Sequence, residues 1–215
     1  MTERLEKIFS VLPSCEVFAD VGCDHGYLAK AMLDSGRCRR AIVSDISAKC
    51  LKKAQDLLCD YIADGTAESV VSDGFKSVKK CDLALIAGMG GEEIVSIINS
   101  APFLPEKLVL QPMKNPQKVR LTVVQAGYKI VSDFTFFSLD KYYDLLVLER
   151  GKDSLTNEEI EFGRTNILQR PDGFIRFIKE KIEKYEEILS SDKLGEKARQ
   201  EIALAMEKLK KYVKD

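Results

Sequence analysis

The sequence has a single histidine, His25, and no tryptophan. Its six cysteines, Cys15, Cys23, Cys38, Cys50, Cys59 and Cys81, form no C-x-x-C pair. Structural zinc needs closely spaced thiolates or imidazoles, so no metal site is expected. No run approaches the ~18–20 consecutive apolar residues of a membrane span. Met1 to Lys7 reads as the start of a charged amphipathic helix and not as a signal peptide. Reduced, mostly buried thiols and a cytoplasmic location are therefore expected. Charge of one sign is missing as well. With 33 basic and 34 acidic side chains the formal net charge is −1, which excludes a uniformly basic nucleic-acid binder but not local basic patches. What is present, 215 residues with 45% hydrophobic and 31% charged, suits one large globular domain or a domain with an appendage.

The first two-thirds alternates short apolar runs with helical patterns. Strands are expected at residues 17–21, 40–44, 68–72, 82–87 and 107–110, with helices at 27–35, 47–59, 92–99 and 116–126 between them. This rhythm implies right-handed crossovers and a mainly parallel sheet covered on both faces. Two further runs, 128–137 and 142–149, leave no room for a crossover and read as a hairpin turning at Ser138–Lys141. Past Gly151 no strand pattern returns. Asp172 to Ser190 carries Phe174, Ile178, Ile182 and Tyr185 at three- and four-residue spacing, and a second stripe follows at Ala198, Ile202, Ala205, Leu209 and Tyr212. Two amphipathic helices joined by a polar break at residues 191–195 should pair like a short coiled coil. The chain thus divides into an α/β unit, 1–152, and a helical unit, 153–215.

Chemistry gathers at the strand ends. The first strand runs into Asp20-Val21-Gly22-Cys23-Asp24-His25-Gly26-Tyr27-Leu28. Gly22 and Gly26 allow positive φ and close approach of a ligand, and ligands of open α/β sheets bind beyond the carboxyl ends of strands. The spacing is not G-x-G-x-x-G, and two aspartates would repel a pyrophosphate; a cationic or neutral ligand is favoured. Asp45, followed by Ile46, is placed to accept hydrogen bonds from ribose hydroxyls, with a helix cap before Ser47 as the alternative. Asp73-Gly74 can meet an adenine edge or make an ordinary turn. Gly88-Met89-Gly90-Gly91 removes side chains where a nucleoside or target base approaches. Gln111, Pro112 and Asn115 set amides and a rigid turn beside the same crevice, although turn chemistry alone also selects Pro and Asn.

Five parallel strands and a hairpin, with D-x-G first and an acid ending strand two, resemble the class I S-adenosylmethionine-dependent methyltransferases with their Rossmann-like sheet. More narrowly, the turn at 20–28, Ile86-Ala87-Gly88-Met89-Gly90-Gly91 and Leu110-Gln111-Pro112 resemble the bacterial tRNA adenine-N1 methyltransferases that modify adenine 22. That family also carries a C-terminal helical coiled-coil domain, so the likeness spans almost the whole chain. It departs at Gly26, where alanine is common, at Asp45, where glutamate is common, and at Met113, where asparagine is usual.

The resemblance implies S-adenosyl-L-methionine as cofactor, held by Asp20, Gly22, Asp24, His25, Gly26, Asp45, Ile46, Asp73, Gly74, Gly88, Met89 and Gly90. It implies tRNA as partner, with Tyr27, Gln111, Pro112 and Asn115 near the base, and Asp24 as the catalytic residue. Adenine N1 already has a lone pair, so methyl transfer is mostly an orientation problem. A carboxylate such as Asp24 would stabilise the cationic product or accept the N6 proton. A base in folded RNA must be flipped out to react. Arg37–Arg40, Lys49, Lys52, Lys53, Lys76, Lys79, Lys80, Lys114, Lys118 and Arg120 are the candidate phosphate contacts. A small-molecule methyltransferase with a lid over the pocket, and a non-catalytic nucleoside-binding scaffold, are the competing expectations. Nothing specifies an oligomer, and a monomer is the default.

Overall fold

The structure, a computed structural model, describes residues 1–191 and 194–213. The apolar runs become β1 (Cys15–Val21), β2 (Cys38–Asp45), β3 (Ala67–Val71), β4 (Leu83–Met89), β5 (Lys107–Pro112), β6 (Tyr128–Ser138) and β7 (Lys141–Arg150). Around them pack α1 (Glu3–Val11), α2 (Tyr27–Asp34), α3 (Ala48–Leu57), α4 (Cys59–Ala63), α5 (Gly91–Ser100) and α6 (Pro116–Gln125). The seven strands form one sheet in the order β3-β2-β1-β4-β5-β7-β6. β1 to β5 pair in parallel, whereas β7 runs antiparallel to both β5 and β6. The expected Rossmann-like sheet with a terminal hairpin is therefore what the chain builds. Strand order reverses between β1 and β4, and at such a switch point a crevice opens beyond the carboxyl ends.

Both faces of the sheet are covered, which is why its central strands are continuously apolar. Phe18, Val43, Leu83 and Leu85 pack on one face with Ile8 of α1, Met32 of α2 and Leu51 of α3. Ala84, Ile86, Leu108 and Leu110 pack on the other with Ile94 of α5 and Val119 of α6. The helix expected over 47–59 is divided at Leu58, whose ψ of 16° leaves the helical range while its side chain is wholly buried. Ser47 caps α3 by accepting the Cys50 amide at 3.3 Å. The hairpin closes more tightly than its sequence suggested. Only Leu139 and Asp140 are left between the strands, with φ of 47° and 58°, the positive pair of a type I′ turn.

Beyond β7 come α7 (Asn157–Phe162), α8 (Arg164–Gln169), α9 (Asp172–Leu189) and α10 (Glu196–Lys210). The last two are the expected amphipathic pair, packed through Phe174, Ile178, Ile182, Leu209 and Tyr212. Asp192 and Lys193 of the expected break lie outside the described residues. α7 and α8 have no counterpart in the sequence reading, since six residues make less than two turns and show no periodicity. They attach to the sheet through buried polar chemistry. Arg120 of α6, 0% exposed, bonds Asp133 of β6 and Asp144 of β7, each at 2.9 Å, and donates to the carbonyls of Ile160 and Glu161. Burial pushes the Asp144 carboxyl upward and Arg120 opposes it. Asn166 of α8 accepts the Thr135 amide and donates to the Phe162 carbonyl.

Candidate functional site

The turn after β1 is fixed from two sides. The amides of Gly22 and Cys23 donate to the Ser44 carbonyl of β2 at 2.7 and 3.0 Å, and Gly26 N–H donates to the Cys23 carbonyl. Gly22, Asp24 and Gly26 all have positive φ, so the chain coils tightly and aims the next side chains outward. Asp24 is a non-glycine residue in that conformation, which aspartate tolerates better than most side chains. At Gly26 an added Cβ would come within 3.0 Å of the Ala54 Cβ, which fits glycine better than the alanine common in the family.

Asp20 is buried beneath the turn, and its carboxyl is pushed up to about 7 by loss of solvent, against a backbone hydrogen bond at Ala29. Asp24 points out. Its carboxylate takes Lys53 Nζ at 2.9 Å and His25 Nδ1 at 2.7 Å, and the Lys53 hydrogen bond holds it below the usual carboxylate range. The His25 ring stacks on Tyr27 at 5.3 Å and an interplanar angle of 6°. Burial and the charges of Asp20 and Asp45 push the Cys23 thiol upward, so it is not a poised nucleophile.

Two cavities meet over these strand ends. The smaller, about 310 Å³, is lined by Asp45, Ile46, Ser72, Asp73, Gly74 and Ile97, with Val21, Gly22, Met89, Glu93 and Ser96. Asp45 accepts the Ser47 amide at 2.8 Å, but the cap of α3 is Ser47 itself. Asp73 is paired with Lys76 at 2.6 Å. The larger cavity, about 470 Å³, is lined by Asp20, Cys23, Asp24, His25, Tyr27 and Gly88, and by Thr2, which caps α1, Arg4 and Leu5 of α1 and Leu139 of the hairpin. Gly22 and Met89 line both. An added Cβ at Gly22 would stand 1.9 Å from Met89 Cε, so this glycine is what lets the Met89 side chain lie against the turn at the boundary of the two spaces. A ligand with a nucleoside end and a charged end could lie across that saddle.

The remaining expected residues stand apart. Gly26 and Gly90 line neither cavity; Gly90 N–H donates to Glu93 Oε2 at the start of α5. Gln111 is 0% exposed, with its amide oxygen bound to Arg4 at 2.7 Å and its nitrogen to the Pro112 carbonyl. Asn115 precedes α6 with φ of 53°. Arg4, Leu5 and Leu139 escaped sequence reasoning because α1 and the hairpin tip reach the crevice only through the tertiary fold.

Nor do the candidate basic residues form one group. Arg37 is bound to the Phe9 and Leu12 carbonyls, and Arg120 is buried. Arg39 and Arg40 begin β2, at the end of the sheet away from the crevice. Lys53, Lys76 and Lys118 flank the carboxyl ends, each paired with an acid. A further depression, about 950 Å³, lies between α1, β6 and the start of α9. Lys7, Arg170 and Arg176 line it beside Glu3, Glu6 and Asp172. It has neither the glycine turn nor the buried Asp20 that the other two cavities offer.

Comparison with known proteins agrees with this geometry. The model of a family described as "Methyltransferase domain" matches residues 1–146. A Mycoplasma pneumoniae protein named "Putative tRNA methyltransferase" is 30% identical over 155 residues, covering 69% of this chain and 71% of its own. The tRNA (adenine(22)-N(1))-methyltransferase of Bacillus subtilis is 26% identical over 156 residues, 70% of this chain and 66% of its own. Among solved structures, M. capricolum TrmK in complex with S-adenosyl-homocysteine superposes with a TM-score of 0.85 at 23% identity, over 99% of this chain and 97% of that one. That likeness extends the shared fold through the C-terminal helices. With that family model matching residues 1–146, about two-thirds of its length, the chain belongs to the methyltransferase domain family.

Proposed function

We propose that the protein transfers a methyl group from S-adenosylmethionine to N1 of an adenine in tRNA, at position 22. The observation that carries this reading is the pair of cavities meeting between Gly22 and Met89, one flanked by Asp45 and the other floored by Asp20. The residues fit the cofactor. Asp45, Ile46, Asp73 and Gly74 would hold its nucleoside, Gly22 and Gly88 give it backbone room, and Asp20 would meet its cationic amino-acid end. When bound, the cofactor supplies an electrophilic methyl group on a sulfonium.

Asp24, kept ionised by Lys53 and His25, stands at the same cavity and stabilises the positive charge that appears on the methylated base. Its lowered proton affinity makes it a poor general base, which favours this electrostatic role over removal of the N6 proton. The stacked His25 and Tyr27 rings give a flipped base a flat face at the cavity. Gln111, with its amide engaged by Arg4, supports the cavity wall. No inserted lid interrupts the strand–helix alternation among the described residues, which tells against a small-molecule acceptor. Residues 1–152 would carry the transfer chemistry and 153–215 a helical arm beside it.

Purified protein incubated with methyl-labelled S-adenosylmethionine and bulk bacterial tRNA should label the RNA. Asp24→Ala should reduce the rate about 100-fold or more while the protein still binds cofactor. Cofactor binding without any label in tRNA would sink the reading, and a near-normal Asp24→Ala rate would remove Asp24 from the chemistry.

A further inference from the structure

The tip of the β6–β7 hairpin carries a residue that its own turn does not favour. Leu139 has φ of 47°, a conformation that suits Gly, Asn or Asp and disfavours a bulky side chain. Asp140 beside it, φ 58°, is of the expected type. Leu139 also gains little by burial in the free protein, since it is 64% exposed. Yet it lines the same cavity as Asp24, His25 and Tyr27. Its support is firm. Ser138 Oγ donates to Glu3 Oε2 at 2.9 Å, and below the tip Phe137 packs on Tyr142 and Phe136 on Tyr143, with centroids 5.0 and 5.4 Å apart.

We infer that Leu139 is a wedge that enters the base stack of the RNA and fills the place left when the target adenine turns into the cavity. The inference rests on the tRNA reading above. A base drawn from a stack leaves an apolar gap, and proteins that unstack bases commonly insert an aliphatic or aromatic side chain there. An exposed leucine on a braced two-residue turn, at the cavity the base would enter, has the chemistry and the place for that task. It is a positioning residue, because it acts on the stack and not on the reacting atoms.

The test uses tRNA with 2-aminopurine in place of the target adenine, mixed with full-length protein and S-adenosylhomocysteine. The wild-type protein should raise the probe's fluorescence as it leaves the stack. Leu139→Asn and Leu139→Gly suit the turn and should fold at least as stably, yet lose most of the rise and lower kcat/KM on unmodified tRNA by about tenfold. Leu139→Met should restore both. Asn and Gly variants that keep the fluorescence rise and the rate would overturn the wedge, as would a wild-type protein that methylates tRNA without any rise. Cofactor binding with no methylation of tRNA by the wild type would instead overturn the reading on which the wedge depends, and the wedge with it.

Discussion

Two aspartates four residues apart are driven in opposite directions by their surroundings. Asp20 loses solvent and its carboxyl rises to about 7; Asp24 gains Lys53 and His25 and falls. For Asp20 the folded value lies above the unfolded one of 3.8. The unfolded chain therefore gives up this proton first, and the protein loses stability as pH rises from about 4 to about 7, then levels off. Asp20→Asn should flatten that slope, raising Tm at pH 8 and leaving it almost unchanged at pH 4. A cationic ligand group over Asp20 would favour the ionised form. Binding of S-adenosylhomocysteine at pH 6 should then release close to one proton, and at pH 8 almost none, measurable as the buffer dependence of the binding enthalpy. Equal release at both pH values would mean that Asp20 does not meet the cofactor.

At the scale of elements, a short polar cluster decides how the C-terminal helices sit. Arg120, Asp133 and Asp144 form a buried charged group between α6, β6 and β7, and the last carbonyls of α7 close it. Removing one partner of a buried ion pair strands the other, at about 3–5 kcal/mol. Arg120→Leu should therefore lower urea stability by about that amount; a loss below about 0.5 kcal/mol, typical of surface changes, would show that the cluster does not hold the helices. The same cluster marks where sequence reading stopped. In the sequence Arg120 reads as a candidate phosphate contact, and nothing local reveals that two acids on a later hairpin will enclose it. The five-strand rhythm and the turn at 20–28 were legible because apolar runs, glycines and acids are local signals. α7 and α8 were not, since their order comes from Asn166 accepting the Thr135 amide of β6 and from Arg120 of α6 donating to the Ile160 carbonyl. Arg4 and Leu139 reach the crevice by the same non-local route.

Over the whole molecule, a formal charge of −1 conceals a directional arrangement. Asp20, Asp24, Asp45 and Asp73 crowd the carboxyl ends of the strands, an arrangement that favours a cationic ligand. Basic side chains are spread over several faces, many paired with acids, so RNA binding should rest on shape and base contact as much as on phosphate charge. A basic footprint of six to ten phosphates would lose roughly 10³–10⁵ in affinity between 50 and 200 mM salt; this protein should lose less than about 100-fold over that range. A steeper fall in filter binding would reveal a phosphate track that the described residues do not display.

The most direct measurement is the identity of the product. An unmodified tRNA transcript bearing adenine at position 22 is incubated with the protein and S-adenosylmethionine, digested to nucleosides and resolved by mass spectrometry, with reverse transcription locating the modified base. Formation of 1-methyladenosine, with a reverse-transcription stop at position 22 that disappears when that adenine is replaced by guanine, is the predicted result. Methylation of another base or another atom, or no methylated nucleoside from protein that binds the cofactor, would contradict it.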